Sequence, residues 1–232
     1  MGYATTKVIT SASEKYHVIM ACRTIEKGEK AKAEIEASGI KGQISLIRLD
    51  HTDQSLIDKA VEYVKTKFGR LDALVNNAAV GNLDDNVQTR FQASLENNVT
   101  GPAMLAASFR PLLLKSSNPY SIWVSSGLGS FGLNMPDDPR LPNADAYRAT
   151  KSALNMLALL EYSHFKDQGL KTFAVCPGFV VSNLRGTDED LRSGWGQAGD
   201  PMVSGETILN IVAGNRDADV GKFVHKDGLY PW

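Results

Sequence analysis

Tyr147 and Lys151, in the segment YRATK, carry the first chemical signal in this sequence of 232 residues. On a helix, a spacing of four sets both side chains on one face. A phenol with an ordinary pKa of about 10 exchanges protons poorly at neutral pH. An ammonium beside it favours the phenolate and lowers that value. The pair then suits general acid–base work on a carbonyl or an alcohol. Ser126, in VSSG at the end of an apolar run, adds a hydroxyl able to bond the same oxygen. Each feature also has an ordinary explanation: Tyr and Lys four apart are common on helix surfaces, and a serine before glycine suits a turn.

The elements that must position these side chains follow from periodicity. Helical patterning predicts helices over 3–14, 24–38, 53–68, 87–115, 144–167 and 201–213. Gly39 and Gly69 close the second and third, and Pro102 and Pro111 bend or divide the fourth. Short apolar runs at 17–22, 44–49, 71–75, 121–124, 170–176 and 222–225 read as strands. Strands alternate with helices and are apolar on both faces. This predicts an α/β fold with a doubly wound, mainly parallel sheet and helices on both faces. The stretches 134–145 and 183–200 read as loops. Ligands of such a sheet bind beyond the carboxyl ends of the strands. The positions to inspect are therefore Arg23, Asp50, 76–79, Ser125, Ser126 and 177–182.

Composition narrows the class. Twenty-five Lys and Arg against 26 Asp and Glu leave a net charge of -1, which supplies no basic field for nucleic acid and no polybasic membrane anchor. No uninterrupted apolar stretch of about 18 residues predicts a membrane span. MGYATTKVIT lacks the basic and apolar regions of a secretion signal, so a cytoplasmic location is expected. Cys22 and Cys176 both lie in apolar runs and read as buried thiols of a reducing compartment. No repeat or linker interrupts the pattern, so residues 1–232 are expected to form a single domain.

Five segments in order, NNAAVG at 76–81, NNVTG at 97–101, VSSGLGS at 124–130, YRATK at 147–151 and PGFVVSN at 177–183, resemble the short-chain dehydrogenase/reductase family. The resemblance spans Gly2 to about residue 185. It implies a Rossmann-like fold that binds NAD(P)(H) and moves a hydride between the nicotinamide and a carbonyl or secondary alcohol of a small-molecule substrate. It gives Tyr147 the proton-transfer role. Lys151 would lower the Tyr147 pKa and hold the nicotinamide ribose, Ser126 would orient the substrate oxygen, and Asn98 would hold a water linking Lys151 to solvent. Without the family context, Asn98 reads as a polar helix residue. No metal is expected.

By the same resemblance Asp50 would hold the adenine amino group, although an acid there also suits the helix N-terminus that follows. Asn77 and Ala78 would pass the adenosine ribose. Pro177, Val180 and Ser182 would meet the nicotinamide carboxamide. Arg23 ends the first strand where NAD-binding members carry an acid. A cation there suits a 2′-phosphate, so NADP(H) is favoured over NAD(H), although an arginine ending a strand also suits an ordinary surface position. Met135, Trp195 and Met202 suggest an apolar substrate. The helices at 87–115 and 144–167 resemble those that form homodimer interfaces in the family.

One family feature is short. The pattern opens with a strand and TGxxxGxG, and Gly2 aligns with its last glycine. The strand and the first two glycines, roughly a dozen residues, are not in this sequence. The missing strand would lie between the 17–22 and 71–75 strands, leaving an N-terminally truncated domain. Three outcomes are open: an ordinary reductase whose start is misplaced; a catalytically impaired or silent relative acting as a binding protein; or a smaller sheet in which the 17–22 strand moves over to pair with 71–75. For these 232 residues, weak or absent NADP(H) binding is expected.

Overall fold

The computed structural model describes residues 1–81, 83–133, 135–137, 139 and 141–232. Eight α-helices occur among them: α1 Gly2–Ala12, α2 Ile25–Ala37, α3 Gln54–Phe68, α4 Val87–Leu95, α5 Gly101–Leu113, α6 Asp145–Phe165, α7 Glu189–Ser193 and α8 Met202–Val212. The strands are β1 His17–Cys22, β2 Gln43–Arg48, β3 Ala73–Asn76, β4 Tyr120–Val124, β5 Lys171–Val175, β6 Phe223–His225 and β7 Gly228–Tyr230.

Local chemistry sets several boundaries. The Asp53 carboxylate accepts hydrogen bonds from the backbone N–H groups of Ser55 and Leu56, capping α3. Gly69 ends α3 in the left-handed region, at φ 73°. The expected helix over 87–115 divides as α4, a π-helical turn at Glu96–Thr100, and α5. Pro102 sits in the first turn of α5, where its missing N–H costs nothing.

The strands form two sheets. Among the described residues β1 pairs only with β2, in a parallel register from His17 opposite Gln43 to Cys22 opposite Arg48. The other five run in the order β3-β4-β5-β6-β7, parallel except for the final antiparallel hairpin. The possibility that β1 moves over to β3 is therefore overturned. Ile19, Ile47 and Leu49 pack onto a buried layer from α3 and α5 that includes Ile57, Val64 and Phe109. The turn before β2 is also tied down, by Gly42 N–H to Thr10 O and Gln43 N–H to Tyr16 O. A cavity of about 1000 Å³ separates β1 from β3.

The five-stranded sheet buries both faces. Ile122, Val124, Phe173 and Val175 point to a core shared with Ile9 of α1 and with Ile208 and Ile211 of α8. Their neighbours Trp123, Ala174 and Cys176 point the other way, against Ala106 of α5 and Leu154 and Ala158 of α6. This is the strict alternation a strand imposes. Each fully buried large side chain contributes about 1.5–3 kcal/mol. The carboxyl ends of β4 and β5 consequently open under the start of α6.

Candidate active site

Tyr147 and Lys151 lie in the first two turns of α6, beside the ends of β4 and β5. Lys151, 2% exposed, donates from Nζ to the Val124 carbonyl at 2.8 Å. Its Nζ is 5.6 Å from the centre of the Tyr147 ring. The two serines after β4 have separate positions. Ser125 is buried and donates to the Lys151 carbonyl at 3.2 Å, tying the strand end to α6. Ser126 caps the turn Gly127–Gly129 by accepting from Leu128 N–H, and its hydroxyl is close enough to Tyr147 to favour the phenolate. That turn is pinned on α6: Ser152 Oγ donates to the Gly129 carbonyl at 2.9 Å and Asn155 Nδ2 at 3.2 Å.

The electrostatics depart from the expectation for this pair. Burial pushes the Tyr147 phenol up to about 12, against the pull of the Ser126 hydrogen bond and the Arg185 charge. Burial also brings Lys151 down to about 8. The expected lowering of Tyr147 by Lys151 is absent because the ammonium is directed at the Val124 carbonyl and desolvation of the phenolate dominates. Cys176, also buried, accepts from Gly127 N–H at 3.2 Å. Its thiol is raised by burial, and the nearby Lys151 pulls it back. Cys22 departs from expectation in being only partly buried.

Asn98, 1% exposed, forms a two-point bond with Val80. Its Oδ1 accepts from Val80 N–H at 2.8 Å and its Nδ2 donates to Val80 O at 2.9 Å. The same Nδ2 meets Thr150 Oγ1 at 3.1 Å, and that hydroxyl donates to the Tyr147 carbonyl at 2.8 Å. Asn98 thus links the loop after β3 to α6. The start of α6 is held further by buried Arg90, which grips Asp145 at 2.7 and 3.0 Å.

A second cavity, of about 170 Å³, opens at the end of β1 and is lined by Arg23, His51, Ala78, Val80 and Asn97 among others. Arg23 is exposed there. Burial tends to raise the Asp50 carboxyl, but hydrogen bonds from the Thr52 N–H and hydroxyl, with the Arg23 and His51 charges, bring it below its ordinary value. His51 was not anticipated. Burial lowers its pKa, its Nε2 has no hydrogen-bond partner, and a side chain on Gly101 would lie 2.0 Å from its ring. The glycine within NNVTG was the available signal, since a helical glycine often marks close approach. Gly2 opens α1 beside Asn77, whose Nδ2 lies 3.2 Å from where a Gly2 side chain would begin.

After β5 the chain turns at Gly178, with φ 82°. Pro177 O accepts from Ser204 Oγ at 2.8 Å, and Val180 bridges to Gly199. Ser182 N–H donates to Arg192 O, and its Oγ accepts from Leu184 N–H. Arg185, also unanticipated, donates to the carbonyls of Val180, Leu191 and Arg192 and lies over the Phe179 ring at 4.6 Å. Part of the 134–145 loop, namely 134, 138 and 140, lies outside the described residues.

The family model for short chain dehydrogenases matches residues 1–192. The chain belongs to the short-chain dehydrogenase/reductase family. It is 33% identical over 250 aligned positions to the short-chain dehydrogenase/reductase tropE of Talaromyces stipitatus, covering 98% of this chain and 92% of that protein. Identity to the short-chain dehydrogenase/reductase eupG of a Phoma species is 30%, over 100% of this chain and 94% of the relative. The fold resembles carbonyl reductase Sniffer of D. melanogaster, with a TM-score of 0.80 at 22% identity over 99% of this chain and 94% of that one. It also resembles an NADPH-bound carbonyl reductase from chicken fatty liver, with a TM-score of 0.77 at 24% identity over 93% and 87%. Family membership makes the chain an oxidoreductase of the short-chain dehydrogenase/reductase kind with a Rossmann-like fold, acting on small molecules. Among the described residues no helix is long and apolar enough to cross a membrane.

Proposed function

We propose that this chain is an NADP(H)-dependent oxidoreductase for a carbonyl or secondary alcohol of a small apolar metabolite. The observation that carries the reading is the convergence of Tyr147, Ser126 and Lys151 at the ends of β4 and β5. When bound, the nicotinamide supplies or takes the hydride. Tyr147, protonated well beyond neutral pH, donates its hydroxyl proton to the substrate oxygen during reduction. Ser126 holds that oxygen in line with the phenol. Lys151 would hold the ribose hydroxyls with its remaining N–H groups, and Asn98 keeps the floor of the site in register through Val80 and Thr150. Exposed Phe179 and Met135, with Trp195 and Met202, support an apolar substrate. NADPH consumption, measured at millimolar cofactor against matched apolar ketones and small polar carbonyls, tests the reading. Turnover restricted to polar carbonyls refutes the substrate class, and no turnover with any refutes the activity.

Two parts of the site suit the dinucleotide. The cavity at the end of β1 offers Arg23 for a 2′-phosphate, the unpartnered His51 Nε2 for a polar edge, and small Ala78 for close backbone approach. Asp50, Asn77, Pro177, Val180 and Ser182 would hold the rest of the dinucleotide, as the match to the family's segments implies. For the diphosphate, these 232 residues offer the start of α1 at Gly2, a helix N-terminus whose backbone N–H groups suit an anion. The 232-residue polypeptide is expected to bind NADPH weakly. Saturable micromolar energy transfer from tryptophan to NADPH refutes that expectation. The separated sheets and the high Tyr147 pKa favour a second reading, a catalytically impaired relative that serves as a binding protein. Exposed Met156 and Leu160, one turn apart on α6, support a homodimer through that helix, which light scattering tests.

A further inference from the structure

Among the described residues Arg185 has no acid beside it. It lies half-buried in the loop after β5, and three backbone carbonyls set its guanidinium. Nε donates to Leu191 O at 2.8 Å, and Nη2 donates to Val180 O at 3.1 Å and to Arg192 O at 2.9 Å. The group also lies over the Phe179 ring, 4.6 Å from its centre. Acids are near in sequence, at 188–190, but they are engaged elsewhere or point away. Asp188 caps α7 by accepting from Asp190 N–H, and Glu189 takes Arg192 Nη1 at 2.8 Å. A cation drawn out of water ordinarily meets an opposite charge. Here the Nη1 nitrogen bonds none of the described residues and is not enclosed, so two N–H groups are left for a ligand. The loop itself closes on the catalytic face. Leu184 O lies 2.8 Å from where a Gly81 side chain would begin, next to Val80, which Asn98 ties through Thr150 to the Tyr147 carbonyl. The titratable group whose charge bears on Arg185 is the Tyr147 phenol.

We propose that Arg185 binds substrate: its Nη1 takes the carboxylate of an oxo acid whose carbonyl oxygen lies at Tyr147 and Ser126. The substrate then keeps the apolar body supported by Phe179 and adds one anionic group. A guanidinium stays charged at any pH where the protein is folded, and its hydrogen bonds to a carboxylate are charge-assisted. The three carbonyls and the Phe179 ring hold it in place beforehand, so little side-chain freedom is lost on binding. This deepens the proposed reaction and rests on Tyr147 as the place of the reacting oxygen.

The test uses the 232-residue chain with millimolar NADP+. Isothermal titration compares phenylpyruvate and benzoylbutanoate, each against its methyl ester; the two acids set the carboxylate at different distances from the carbonyl. One acid at least is expected to bind about tenfold or more tighter than its ester. Arg185→Gln is expected to bring that ratio to about one, and Arg185→Lys to keep part of it. Binding needs no turnover, so the outcome is separate from whether the chain reduces any carbonyl. Equal binding of acid and ester by the parent overturns the proposal, and that comparison needs no variant to fold. An acid preference that survives Arg185→Gln also overturns it, leaving Arg185 as a clamp of its loop. If NADP+ binding weakens in the same variant while the preference survives, the cation belongs to the cofactor instead.

Discussion

Replacing Gly129 by alanine tests how the catalytic face is held together. The Gly127–Gly129 turn rests directly on α6. A Cβ at residue 129 would lie 2.5 Å from the Lys151 carbonyl carbon, 2.7 Å from Lys151 Cβ and 2.7 Å from Ser152 N. Two of these atoms are helix backbone and cannot rotate away. The backbone at 129 is outside the left-handed region, so alanine adds a clash without conformational strain. Restoring ordinary contact requires the turn and α6 to part by about 1 Å. Overpacking of this kind costs about 1–3 kcal/mol, and each kcal/mol lowers Tm by about 2–4 °C in a chain of this size. The separation falls between Ser126 on the turn and Tyr147 on the helix, and a misplacement of about 1 Å costs about 100-fold in turnover. Gly199→Ala is the matched control, because its Cβ would meet only Phe179 O, at 3.7 Å. Thermal melting and NADPH consumption are measured on both variants. A Gly129→Ala protein that melts and turns over like the parent refutes the account of how the site is assembled.

Tyr147→Phe is expected to lower reduction by about 10²–10⁴-fold with Tm within a few degrees of the parent; retained turnover removes Tyr147 from the proton-transfer role. Arg23→Glu is expected to reverse the cofactor preference, weakening NADPH binding by about tenfold or more while leaving NADH nearly unchanged, read by fluorescence titration. Lys151 titrates near 8 in the fold and at 10.5 in the unfolded chain, so the unfolded chain binds more protons between those values and this group makes stability rise with pH there. Urea midpoints of Lys151→Met are expected to lose that rise. Tyr147 acts in the opposite sense between 10 and about 12, where the fold retains a proton the unfolded chain has released and stability falls.

Much of the architecture was legible because β4 and β5 are apolar on both faces and their flanking helices carry strong periodicity. Tyr147 and Lys151 share a face of α6, as their spacing suggested, and Ser126 follows the strand end that α6 packs on through Lys151 and Ser125. The three-residue strand β7 was missed, since Gly228–Tyr230 is too short to show a period and gains its order from Phe223 and Trp232 beside it. The sense of the Tyr147 shift was also missed. Spacing on a helix says that Lys151 is near, but not that its Nζ is turned to the Val124 carbonyl. Arg185 and His51 were invisible for a similar reason. Their positions depend on the chain after β5 folding back on itself and on a helix approaching at Gly101, and neither is encoded locally.

The π-helical turn at Glu96–Thr100 has a consequence for how this segment tolerates change in length. A π turn holds one more residue than the α path it interrupts. The extra residue is taken up inside the turn, so deleting one residue there would restore a continuous α-helix with α4 and α5 close to their present phase. Arg90 would keep its grip on Asp145. The residues inside the turn would be re-aimed, and Asn98 would swing off Val80. A deletion within the turn is thus expected to spare the support of α6 by α4 and to break the tie between α5's start and the loop after β3.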